Sequence, residues 1–235
     1  KEFQHQPSVA ALLGHIHLRN GNPKEAAKFL SNSRLLGNDD GEVLTLLSTA
    51  QFNAGEYAEC ITTLAQLEQS VELSYTFQRL RGKCLAATGR KIQGRDICLK
   101  VTRQTPDDAG AWVDLGYIAW DMGDYNRVAL CGKKISQLSS ELNEGPLFEG
   151  IAALHLGDII NGEKFLSIAQ SYNTIDGLDS LLRMYAKSAK FRAETPIAPN
   201  MTANSAEGEV EQQSHGQAER SQPIVSVTQD SPLVP

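Results

Sequence analysis

Five glycines recur at a single interval. The numbers of Gly21, Gly55, Gly89, Gly123 and Gly157 rise in equal steps of 34. A second set of small residues, Gly14, Ser48, Gly82, Gly116 and Gly150, keeps the same period seven places earlier. Two registers locked together over five units constrain the chain more tightly than its composition does. A repeat of about 34 residues is the length of a helix–turn–helix unit. Units of that kind stack into an array, each burying the face that its neighbour leaves open.

Laid end to end, the units run 7–40, 41–74, 75–108, 109–142 and 143–176. Position 8 of each unit is then always small and falls in the middle of the first helix, where glycine costs roughly 1 kcal/mol relative to alanine. A cost repeated in nearly every unit implies a steric need. The simplest is a close approach of two helices, position 8 lying against the mostly small position 20 (Ala26, Cys60, Gly94, Val128, Gly162). Position 15, always glycine, falls between the helices, where the chain needs positive φ just past a helix end. Amphipathic spacing agrees. Trp112, Leu115, Gly116 and Ala119 recur at i, i+3, i+4 and i+7 ahead of Gly123-Asp124-Tyr125, and Val128 and Ile135 follow on a second helix. Unit 1 places Pro23 where its missing N–H costs little, at the opening of a second helix.

With "AWVDLGYIAWDMGDY" over 111–125, Gly-Glu-Tyr at 55–57, Ala26 at position 20 and Pro106 closing unit 3, the chain resembles the tetratricopeptide repeat (TPR) family over about residues 7–176. The resemblance implies an all-α fold, a right-handed solenoid of antiparallel helix pairs. It also implies that the first helix of each pair lines the concave side. Three positions depart from the family pattern. Arg81 and Glu149 occupy position 7, normally apolar. Gly132 occupies position 24, normally bulky, and predicts a thin spot in helix 125–139. Pro146 falls in a first turn, where proline is tolerated.

Residues 1–6 read as a lead-in. Residues 177–192 read as a capping helix, with Leu178, Leu181, Leu182, Tyr185 and Ala189 on one stripe and Arg183, Lys187, Lys190 and Arg192 facing away. A solenoid needs such a terminal element with a polar outer face. Residues 193–235 lose the helical period and gain Pro, Ser, Glu, Gln and Asn, the composition of a disordered tail. That tail holds six acidic residues against one basic, net −5, so positions 1–192 carry only −1 of the chain's −6. A nearly neutral solenoid argues against a nucleic-acid partner, despite a local group of Arg79, Lys83, Arg90 and Lys91. Within the tail, Ile224, Val225, Val227, Leu233 and Val234 read either as chance or as a short docking peptide. No run of apolar residues is long enough to span a membrane. Both a cytoplasmic location and an envelope location, the latter following removal of an upstream signal or anchor, stay open.

Motifs of chemistry are missing. There is no phosphate-cradling glycine loop, no G-x-S-x-G, and no nucleophile set beside a base. His15 and His17 lie two apart on a helix and do not share a face, and His5 adds no metal-ligand spacing. The expectation is a protein without enzymatic activity, cofactor or metal. Cys60, Cys84, Cys98 and Cys131 show no C-x-x-C spacing and read as small buried residues. A Cys84–Cys98 disulfide is conceivable from their places on two helices of one unit, although free buried thiols suit a reducing compartment.

The TPR resemblance turns this register into a binding surface. Positions 2, 5, 6, 9, 12 and 13 face the groove. TPR clamps for a C-terminal carboxylate need Lys-x3-Asn, then Asn, then Lys-x3-Arg. The matching places here are Ala11, His15, Leu46, Thr76 and Leu80, which excludes that mode. Unit 3 instead offers Arg79 and Lys83, and units 4 and 5 offer Tyr117, Trp120, Leu147, Phe148 and Ile151. Each of the apolar five either lines the groove or packs against an adjacent helix. Taken together they predict a protein partner, a partly apolar peptide or helix with an acidic portion near unit 3. The expected function is an interaction scaffold, and the resemblance extends to accessory proteins of bacterial secretion or pilus assembly. Alternatives are a chaperone or adaptor regulated by its own tail, and the regulatory part of a larger enzyme. A homo-oligomer is possible, though nothing in the sequence indicates one.

Overall fold

Gly89 shows how each unit turns. In the computed structural model, which describes residues 6–172, its φ is +86°, and the other four position-15 glycines also have positive φ. The Gly89 N–H donates to the Ala86 carbonyl and the Arg90 N–H to that of Leu85, at 3.0 and 2.8 Å. These two bonds satisfy the last carbonyls of the helix and stop it in a Schellman motif. A Cβ on Gly89 would meet nothing within 4 Å. Gly89→Ala is therefore expected to carry only the backbone cost of a left-handed alanine, about 1–2 kcal/mol, readable as a lowered urea midpoint with an unchanged slope.

The described residues form ten helices: α1 Pro7–Arg19, α2 Pro23–Leu35, α3 Gly41–Asn53, α4 Tyr57–Ser70, α5 Tyr75–Ala87, α6 Lys91–Gln104, α7 Ala109–Asp121, α8 Tyr125–Leu138, α9 Glu144–His155 and α10 Ile159–Tyr172. Two fall in each unit, and every helix packs on the next along the chain. First helices also touch across units, α1 on α3 and α5 on α7. This is an α-solenoid. Pro23 stands at the start of α2, and Pro146 is buried in the first turn of α9. Asp108 and Asp124 cap α7 and α8, accepting from the N–H groups of Ala111 and Arg127. The expected capping helix 177–192, the tail 193–235 and residues 1–5 lie outside the described residues.

The small residues at position 8 have two neighbours. The carbonyl of position 20 lies close, as the register predicts: a Cβ at Gly82 would stand 3.1 Å from the Gly94 oxygen. The side chain at position 24 also covers the spot. Cys98 Sγ would lie 2.7 Å from that Cβ, and Leu30 and Leu166 take the same place over Gly14 and Gly150. Unit 4 differs, because its position 24 is Gly132. The thin spot expected in helix 125–139 is covered from the next unit. Phe148, from the next unit, puts its ring over Gly116 and fills the space that a position-24 side chain would occupy. Gly132 meanwhile lets α9 approach: a Cβ there would stand 2.8 Å from both the Glu149 nitrogen and the Gly145 oxygen. The missing bulk is thus supplied from the next unit, and the two units are interlocked.

The departures at position 7 also find partners in the preceding unit. Arg81 donates to Glu68 at 2.6 Å, and Ser136 donates to Glu149 at 2.8 Å. Glu68 and Ser136 both lie on the second helix of the unit before, so the polar residues tie consecutive units together instead of filling the core. His17, at the packed position 11, stacks on Phe29 with ring centroids 5.1 Å apart.

Candidate functional site

The first helices α3, α5 and α7 together present a strip of half-buried side chains: Phe52, Lys83, Arg79, Tyr117 and Trp120. Each is held by a neighbour. Lys83 Nζ sits 4.7 Å from the centroid of the Phe52 ring, a cation–π contact between units 2 and 3. The Phe52 ring also packs at 5.7 Å on Tyr57, which opens α4. Tyr117 and Trp120 lie nearly parallel, 6.4 Å apart, and both meet Phe148 edge to face at 5.0 and 6.3 Å.

The charged part of the strip centres on a buried carboxylate. Asp114 is 7% exposed and stands at position 6, where Leu46, Leu80 and Phe148 stand in other units. Its two oxygens divide the cations of unit 3 between them. Arg79 Nε donates to Oδ2 at 2.7 Å, and Lys83 Nζ lies 3.2 Å from Oδ1. Arg79 Nη1 also donates to Asp108 at 2.7 Å. Gly110 makes this possible, since a Cβ there would stand 2.7 Å from Arg79 Nη2. Burial alone would lower the Arg79 pKa; Asp114 and Asp108 outweigh it and hold the guanidinium above its ordinary range. The two cations and two carboxylates cancel.

The sequence-derived site therefore divides. Arg79, Lys83, Tyr117 and Trp120 are brought together on one face. Leu147, Phe148 and Ile151 are not on it: they are 4%, 0% and 2% exposed and belong to the core of units 3–5. For Phe148 the physical reason is Gly116, which leaves room for its ring, while Gly132 lets the α9 backbone come close; Leu147 and Ile151 are buried in the same core cluster. Beside Arg79 and Lys83, where an acidic partner segment is expected, Asp108 and Asp114 of the chain itself meet those charges. Lys91, from the same basic group, pairs with Asp121 at 2.8 Å. The register alone puts Asp114 in the groove without a partner. The signal for its pairing is an acidic residue at a position filled elsewhere by leucine or phenylalanine, 35 residues beyond an arginine.

Burial, with Glu144 and Asp114 nearby, pushes the Tyr117 hydroxyl up to about 12, so at neutral pH it stays a proton donor. Buried Cys98 and Cys131 are likewise pushed up to about 12, chiefly by desolvation, and are poor nucleophiles. Among the described residues no group of three or more His, Cys, Asp or Glu is arranged to hold a metal ion. No described helix is long and apolar enough to cross a membrane.

Solved structures identify the architecture. MamA from Desulfovibrio magneticus RS-1, residues 41 to the end, is similar with a TM-score of 0.62 and 17% identity, over 71% of this chain and 94% of that one. YrrB, a TPR protein, gives 0.58 and 10% over 80% and 94%. TTC0263, a thermophilic TPR protein of Thermus thermophilus, gives 0.55 and 16% over 79% and 99%. No family model and no curated protein matches the sequence. The class is thereby defined: the chain has the fold of the tetratricopeptide-repeat solenoid. At these identities the likeness carries the fold alone.

Proposed function

We propose that this chain is a non-enzymatic scaffold that holds a segment of a partner protein along the face of its first helices. The observation that carries this reading is the strip Phe52–Lys83–Arg79–Tyr117–Trp120, five half-buried side chains on three helices, each pinned by a buried or ion-paired neighbour. Rigid aromatics beside an internally neutralised charge cluster favour an apolar or uncharged segment. Such a segment gains from desolvating Tyr117 and Trp120 and has no bare cation to satisfy. A peptide-binding role has a parallel in YrrB, whose structure is described as having an unusual peptide-binding site. The setting proposed is a bacterial one, as an accessory of secretion or pilus assembly, which rests on resemblance.

Trp120→Ala combined with Tyr117→Ala is expected to weaken partner capture by roughly 30-fold or more, the size of a buried aromatic anchor. Circular dichroism should show helicity retained. Substitution of the exposed Lys100, on the second helix of unit 3, serves as the control. Equal capture by wild type, control and double variant would remove the strip from the binding site.

A further inference from the structure

At three junctions, position 20 of one unit and position 10 of the next fall in one buried cluster. Ala26 and Ala50 share one buried cluster, and Val128 and Ala152 share another. At the junction of units 2 and 3 the same two places hold cysteines, Cys60 on α4 and Cys84 on α5, in one cluster with Leu64 and Leu80. Both are 0% exposed and both are free thiols. Cys60 Sγ donates to the Ser48 carbonyl at 3.2 Å, and the Cys84 thiol is near enough to help raise the Cys60 pKa. The partner that the sequence suggests for Cys84 is elsewhere: the Cys98 sulfur lies over Gly82, on the contact between α5 and α6.

We propose that Cys60 and Cys84 are a latent disulfide, a redox modification site that clips unit 2 to unit 3. Helices α4 and α5 pack on each other with both residues in one small buried cluster, so the bond would join elements that are already neighbours. The reaction is a two-electron oxidation by a disulfide or a peroxide. With glutathione disulfide, one cysteine thiolate attacks a glutathione sulfur and releases one glutathione thiol. The second cysteine then displaces the other glutathione, leaving the Cys60–Cys84 S–S bond, and both cysteine protons pass to the two departing thiols. With peroxide, the two protons and two electrons end in two waters. The neighbouring Cys84 thiol and burial hold the Cys60 thiol well above its ordinary pKa, so the closed, reduced junction reacts slowly. The bond forms while the chain folds, or when this junction opens. Its consequence reaches the binding strip: Cys84 follows Lys83 on α5, so the bond fixes the helix whose lysine bridges Phe52 and Asp114.

The test refolds the full chain from urea in a glutathione redox buffer. Two of the four thiols should disappear, and the monomer should lose the mass of two hydrogens. A non-reducing peptide map should join the Cys60 and Cys84 peptides. Tm should rise by roughly 5–10 °C, and dithiothreitol should reverse it. A Cys98→Ala, Cys131→Ala variant, which keeps only the proposed pair, should lose both remaining thiols. Four free thiols after oxidative refolding, a map joining Cys84 to Cys98, or bonds found only between molecules would each overturn the proposal.

Discussion

Phe148→Ala is expected to destabilise the protein by about 3–5 kcal/mol, the range for deleting a fully buried phenylalanine. The upper part of that range is the better expectation. The ring lies over Gly116, and Gly132 stands where other units place a position-24 side chain, so no side chain of unit 4 can collapse into the space. The alanine also removes the edge that Tyr117 and Trp120 pack against. Urea denaturation followed by circular dichroism measures the loss. Cys98→Ala, which removes a smaller group from the equivalent place over Gly82, is the internal comparison and should cost less. A loss under about 1 kcal/mol for Phe148→Ala, the range of a surface change, would mean that units 4 and 5 are not interlocked.

Asp114→Ala is the second large effect. Removing one member of a buried ion cluster leaves the others desolvated and unpaired, at about 3–5 kcal/mol for a fully buried pair. Here the side chains of Arg79 and Lys83 keep 20% and 28% exposure, so solvent compensates in part and about 2–3 kcal/mol is expected. Adding Arg79→Met and Lys83→Met to Asp114→Ala should recover much of the loss, because the residual cost belongs to the stranded cations. If the single variant costs as little as an exposed pair, the cluster is a surface feature and does not pin the strip. The measurement is again a urea midpoint, at constant ionic strength because exposed charges are screened by salt.

The architecture is legible in the sequence because it is periodic. Gly89 needs positive φ and Gly82 a close neighbour, and both needs recur once in every unit, so the register announces them. The site is legible only in part. The register places Tyr117 and Trp120 at groove positions, and both are half-buried on α7. Leu147, Phe148 and Ile151 read as groove residues by position, yet all three are buried, and the Phe148 ring sits over Gly116 in a compensation between two units that no position-by-position comparison exposes. The pairing of Asp114 with Arg79 and Lys83 is hidden for the same reason, since it joins units 3 and 4. Cys60 and Cys84 look unrelated in the sequence because the pair that the register suggests, Cys84 and Cys98, lies inside one unit. In each case the unforeseen contact crosses a unit boundary, where two independent variations meet.

The ring of Phe148 also bears on how this array can lengthen or shorten. Tandem repeats are ordinarily exchangeable parts, lost or duplicated one at a time, because each carries its own filling. Unit 4 does not: with Gly132 in place of a bulky residue, it borrows a ring from unit 5. A deletion at the 142/143 boundary would leave unit 4 with a hollow interior. A unit inserted there would inherit the vacancy unless it brought an aromatic at its own position 6. Units 4 and 5 are therefore expected to be kept or lost together, a module twice the length that the glycines count out.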